Sequence, residues 1–197
     1  MTDLERVEAQ LAFLLEADRL KQIERQSSIV GASRRENTAE HSWHLALFAL
    51  VLAEHADSSV DLPKVLAMLV LHDLVEIDAG DTFAYDETGY ESKSAREREA
   101  ADRLFGMLPG DQGKRLRSLW EEFEAGQTAD ARFANALDRL QSVLLNTENA
   151  GESWRRHGIS QDRVIARNSA IGSGSELLWS AALARIRALY EGADPPA

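Results

Sequence analysis

The sequence predicts an all-α fold, a helical bundle formed as a single domain over residues 1–197. Apolar residues recur at helical spacing near both ends, as Leu4, Val7, Leu11 and Leu14 and again as Trp179, Leu183, Ile186 and Tyr190. No alternating run long enough to argue for a strand interrupts them. Helix-start residues stand ahead of apolar runs at Asn37, Asp61 and Ser175.

The elements follow in order. A first amphipathic helix carries the Leu4 to Leu14 stripe. The second begins after Asn37, where Glu40 three residues on gives a capping-box spacing, and continues through HSWHLALFALVLAEHA. The third begins after Asp61 with Pro63 in its first turn and is expected to run through PKVLAMLVLHDLVE, ending at Glu76. Both segments are too apolar for surface helices and belong at the centre of the bundle. The polar stretch IDAGDTFAYDETGYES then reads as an active-site loop. A charged helix from about 92 to 107 follows it, with further helices near 111 to 125 and 128 to 148. GSGS at 172 to 175 breaks the chain before a last helix capped by Ser175, so that helices over about 160 to 191 pack on a central region of about 37 to 148. DPPA reads as a frayed tail.

Composition narrows the function. A net charge of −11 repels nucleic-acid polymers, although a few local arginines can still hold a small anion. No stretch approaches the roughly 20 apolar residues of a membrane span, and the N-terminus is acidic and amphipathic, so a cytoplasmic protein without a membrane partner is expected. With no cysteine, any metal must be held by nitrogen and oxygen ligands.

His72, Asp73 and Glu76 stand inside the apolar run AMLVLHDLVEI, where unpartnered burial of ionised groups would cost several kcal/mol each. On a regular helix Asp73 is turned about 100° from His72, and Glu76 returns to about 40°, so the three share one flank. A core histidine bonded to a neighbouring acid is the plainer explanation for an isolated pair. Two other helices weigh against it. His41 shares a stripe with Leu45, Phe48 and Leu52, and Asp138 adjoins that of Phe133, Leu137, Leu140 and Leu144. Three helices sending His or Asp into one interior is how a bundle builds a metal site.

The order of His41, then His72 with Asp73, then Asp138 resembles the HD-domain metal-dependent phosphohydrolases. RRENTAEHSW and LVLHDLVEIDAGD are similar to the subgroup that holds the bacterial 5'-deoxynucleotidases and HD-domain-containing protein 2, and the resemblance covers roughly residues 10 to 150. It implies an HD-domain bundle whose central site holds one divalent ion through His41, His72, Asp73 and Asp138. It further implies Glu76 as an acid needed for turnover, Asp81 as a second active-site acid, and a nucleoside 5'-monophosphate as small-molecule substrate. An Arg-Trp pair contacts the nucleotide in that subgroup. Here Arg25 is followed by Gln26, and the loop to His41 is one residue longer, which leaves base and sugar preference open. Two imidazoles and two carboxylates suit Mn, Co, Fe or Zn.

Arg25 and Arg35 are the candidate phosphate-binding residues, with surface exposure as the alternative for each; Arg34 reads as surface. His44 reads as structural or supporting, and His55 and His157 as surface. Trp43, Trp120, Trp154 and Trp179 read as packing anchors, with base stacking as the alternative for Trp43. The last helix is expected to serve a homodimer, as the resemblance suggests, or else to close the core. Two rival functions stay open: an HD-domain phosphodiesterase or pyrophosphohydrolase of a signalling nucleotide, and a non-catalytic protein that binds metal or nucleotide.

Overall fold

Local capping chemistry starts most of the helices in a computed structural model, which describes residues 1–31 and 33–192 apart from the side chains of Glu87 and Tyr90. The DPPA tail lies outside the described residues. α1 (Asp3–Ala17) opens with a reciprocal capping box between Thr2 and Glu5. A 3₁₀ turn, Asp18–Gln22, leads into β1 (Glu24–Ser28), which pairs antiparallel with β2 (Arg35–Asn37) in a two-stranded hairpin. The hairpin departs from the purely helical expectation. Its strands, ERQSS and REN, are short and polar, and their conformation is fixed by docking, with Asn149 donating to the Ser28 carbonyl at 2.7 Å.

α2 (Thr38–Leu52) starts at the predicted Asn37–Glu40 capping box, with both bonds formed. α3 (Leu62–Leu71) starts at Asp61, which accepts from the Lys64 amide. It ends before His72 and does not reach Glu76. Residues 72 to 75 tighten into turns whose bonds run from Leu74 N to Leu71 O and from Glu76 N to Asp73 O, before the single turn α4 (Glu76–Ala79). Residues three apart eclipse one another in such turns, so Asp73 and Glu76 are brought into line rather than staggered. Gly80, at φ +73°, then redirects the chain into Asp81 in a conformation that favours glycine.

α5 (Glu87–Gly106) begins about five residues earlier than expected, because Asp86 accepts from the Gly89 amide and caps it. α6 (Gly110–Ala125), α7 (Ala129–Glu148), α8 (Glu152–Arg156), α9 (Gln161–Asn168) and α10 (Glu176–Glu191) complete the described chain, with Ser175 capping α10 as predicted. Gly174 lets that junction lie against α7: a Cβ there would sit 2.6 Å from the Arg132 carbonyl oxygen.

Two apolar clusters form the core. One gathers Leu45, Met68, Leu69, Phe133, Leu137 and Ile186 from α2, α3, α7 and α10. The other gathers Phe13, Leu71, Leu74, Val75, Leu104, Phe105 and Trp120. The chain crosses from one to the other between Leu69 and Leu71, just ahead of His72 and Asp73, so the site lies beside their seam. α10 closes the core, with Ala182 and Ile186 fully buried and the Tyr190 hydroxyl donating to the Ile159 carbonyl at 2.7 Å.

α2 corrects the expectation that it is interior on all sides. Its outer face carries Trp43, Leu47, Leu50 and Val51, and Trp43 is 67% exposed, so Trp43 is no packing anchor within one chain. Among the described residues no helix is long and apolar enough to cross a membrane.

Candidate active site

His41, His72 and Asp73 bring one ligand atom each to within 4.8 Å of one another. His41 sits in the first turn of α2, and His72 and Asp73 occupy the tight turn after α3. Each imidazole is locked through Nδ1. That of His72 donates to the Leu69 carbonyl at 2.9 Å, and that of His41 to Gln141 Oε1 at 3.1 Å. A neutral imidazole with its proton on Nδ1 has its lone pair on Nε2, the form a metal ion takes up. Both Nε2 atoms turn inward: His72 Nε2 lies 3.0 Å from Asp73 Oδ2, and His41 Nε2 lies 3.0 Å from Asp138 Oδ1 and 3.8 Å from Asp73 Oδ2. His72 Nε2 is buried and makes no hydrogen bond to any described residue. An orphaned imidazole nitrogen beside two carboxylates fits a divalent cation with nitrogen and oxygen ligands.

Burial would raise Asp73, but the neighbouring His72, with Arg25 and His41, outweighs it and holds the carboxyl down at about 2. Burial likewise opposes Asp138, whose bond with His41 nevertheless leaves it well below the usual carboxylate range. Both stay ionised. Glu76 goes the other way, pushed well above the usual range by burial and by Asp73, with Arg25 only partly offsetting them. The Thr38 hydroxyl lies 3.0 Å from Glu76 Oε2 and 3.3 Å from the Ile23 carbonyl oxygen. It has one proton for these two positions. Donated to Glu76 Oε2, it opposes the rise of the Glu76 carboxyl without cancelling it. Asp81 is also raised, by burial, again with Arg25 opposing.

These groups open onto a cavity of about 160 Å³ lined by Arg25, Asp73, Glu76, Asp81 and Asp138 together with Phe83, Tyr85, Asn146, Trp154 and Asn168. Arg25 Nη1 donates to Asp73 Oδ2 at 3.0 Å. Arg35, a sequence candidate, does not line the cavity. Side chains alternate along a strand, so β2 cannot turn both Glu36 and Arg35 inward, and Glu36 is the buried one. Arg34 is exposed and forks onto Glu40. His44 stands behind the site, 3.3 Å from Gln141 Nε2, in the supporting place expected for it.

Four residues of the site were not singled out for it in the sequence. Glu36 and Gln141 lie behind His41, Thr38 touches Glu76, and Trp120 Nε1 donates to the His72 carbonyl at 3.1 Å. The spacing of Gln141, three residues after Asp138, is the one cue that places any of them on a site-facing flank.

Residues 17–179 match the HD domain family. The 5'-deoxynucleotidase HDDC2 of Homo sapiens is 30% identical over 139 residues, covering 70% of this chain and 67% of that protein. The Bos taurus HDDC2 is 31% identical, over 70% of this chain and 66% of its own length. A predicted metal-dependent phosphohydrolase from Magnetospirillum magnetotacticum MS-1, solved at 1.37 Å resolution, is 49% identical. It superposes with a TM-score of 0.91 over 95% of this chain and 94% of its own. The chain therefore belongs to the HD domain family.

Proposed function

We propose that this protein is a metal-dependent phosphomonoester hydrolase that removes the 5'-phosphate of nucleoside monophosphates, deoxyribonucleotides among them. The observation that carries the reading is the convergence of two Nδ1-locked imidazoles with Asp73 and Asp138, beside the buried Glu76, on one cavity. The substrate class comes from the 5'-deoxynucleotidases the chain is similar to. His41, His72, Asp73 and Asp138 would hold one divalent ion, of the Mn, Co, Fe or Zn kind. When bound, such an ion polarises a phosphoryl oxygen and lowers the pKa of water to near neutral. Arg25 grips the phosphate from the side opposite Glu36. Glu76 hands its proton to the leaving 5'-oxygen, and Asp81, which lines the cavity just past Gly80, orients the attacking water. Such an enzyme belongs in the cytoplasm, where free nucleotides are at hand.

Phosphate release from a panel of ribo- and deoxyribonucleoside monophosphates, each with Mn, Co, Zn and Mg, tests this directly. Lys93, Arg139 and Arg167 also line the cavity, so nucleoside triphosphates are assayed beside the monophosphates. Pyrophosphate as the main product would replace the monophosphatase with a pyrophosphohydrolase. No turnover of any member would leave a binding protein.

Arg25→Ala should raise KM for the preferred monophosphate by the equivalent of about 1.5–3 kcal/mol, the worth of a charge-assisted contact, with metal still bound. Arg35→Ala should stay near wild type in the same assay, because its side chain points away from the cavity.

The protein is further proposed to be a homodimer, through α1 and α2 rather than α10. Leu4, Val7, Leu11, Leu14 and Leu15 on α1 join Trp43, Leu47, Leu50 and Val51 on α2 as exposed apolar residues, while α1 buries Phe13 alone. Apolar side chains exposed in such number on two helices mark a surface for a partner. α2 has no charged residue between Glu40 and Glu54, so two copies of a chain of charge −11 can meet there without repulsion. Light scattering should give a dimer for the wild type and a monomer for Trp43→Asp with Leu47→Asp. A monomeric wild type would end the proposal.

A further inference from the structure

Glu36 is 2% exposed, on β2, one residue ahead of the cap of α2. Its Oε1 accepts from Gln141 Nε2 at 2.7 Å. Its Oε2 has no hydrogen-bond partner among the described residues, and neither does the buried Nε of Arg25, 3.7 Å away. The same oxygen lies 3.5 Å from His41 Nδ1. At its other end Arg25 sets Nη1 3.0 Å from Asp73 Oδ2 and Nη2 4.0 Å from Asp138 Oδ1. One guanidinium is thus spanned between Glu36 behind it and the two metal-site acids in front.

A buried carboxylate with an unsatisfied oxygen persists only where a charge compensates it. A divalent ion on Asp73 and Asp138 leaves no net charge, and Arg25 beside it adds one positive charge that Glu36 cancels. We infer that Glu36 is the counter-ion that retains Arg25 next to the metal centre, holding the guanidinium ready for a phosphate without letting it take Asp73 and Asp138 from the ion. Glu36 is therefore a positioning residue, acting through Arg25. By receiving Gln141 Nε2 it also fixes which way that amide faces, and so sets Oε1 to accept from His41 Nδ1. The inference rests on the metal reading of the site.

The test is calorimetric titration of Mn into chelator-treated protein for wild type, Glu36→Gln, Arg25→Met and the double variant. Glu36→Gln keeps an acceptor in place and removes only the charge. It should weaken Mn binding by about 10- to 100-fold, the usual worth of an outer partner of a metal site. The double variant should return to within about threefold of Arg25→Met, because Arg25 no longer competes. Mn binding by Glu36→Gln equal to wild type, or a double variant as weak as Glu36→Gln, overturns the inference. Should Glu36→Gln fail to fold, Arg25→Met alone decides. It must bind Mn at least as tightly as wild type, and weaker binding refutes competition by Arg25. A wild type that binds no Mn, Co or Zn refutes the metal reading instead, so the two failures are told apart.

Discussion

Asp73→Asn, His72→Ala and His41→Ala should each reduce bound metal from one ion per chain to a trace, and phosphate release should fall to background with it. The expectation follows from how few atoms make the site. His41, His72 and Asp73 supply one atom each within 4.8 Å, and Asp138 adds its contact at 3.0 Å from His41. Loss of any one removes both charge and geometry. Asp73→Asn is the cleanest of the three, since it keeps the shape of the side chain while removing the charge that His72 and Arg25 face. His72→Ala also empties a place packed 4.7 Å from the Phe123 ring, so its melting temperature must be measured beside its metal content. Elemental analysis that finds a full complement of ion in all three variants would show that the ligands are elsewhere.

The helix starts were legible because a cap is a matter of three or four neighbouring residues. Asn37 with Glu40, Asp61 with Pro63, and Ser175 each specify their turn without help from the rest of the chain. The end of α3 was not legible, because the apolar run continues through Val75 and Ile77 with no glycine before Gly80. Tertiary contact ends it. The His72 carbonyl accepts from Trp120, forty-eight residues away, and the Glu76 amide turns to Asp73 instead. His41, His72, Asp73 and Asp138 could be read as one interior set because each interrupts an apolar stripe. Glu36 could not, since it lies in a polar hairpin where one more acid is unremarked, and its burial depends on α7 bringing Gln141 to it. Nor could α2 be divided into faces: a helix apolar all round looks the same whether its outer side meets the core or a second chain.

Glu76→Gln should lower turnover by about 10²- to 10⁴-fold, the usual contribution of a positioned acid or base, with metal content unchanged. Under the proposed function, Glu76 and Asp73, aligned three residues apart in the tight turn, set the proposed proton donor beside a proposed metal ligand. Burial and the Asp73 charge keep the Glu76 proton on well above the usual carboxylate range, so the amide closely mimics the resting form in shape and charge. Folding should therefore survive, and the variant should bind a nucleoside monophosphate without consuming it. Stability gives an independent readout of the same proton. In chelator-treated wild type, the folded state retains the proton over a range where the unfolded chain has lost it, so stability should fall as pH rises from the ordinary glutamate range through the raised value. Asp73, held at about 2, and Asp138, also lowered, act with the opposite sign and at lower pH, so the windows separate. Glu76→Gln should make the decline with rising pH shallower, leaving what the other raised groups, Asp81, Glu124 and His41, add. Turnover equal to wild type in Glu76→Gln would remove Glu76 from the mechanism and move the proton-transfer role to Asp81, the other acid of the cavity whose carboxyl burial raises.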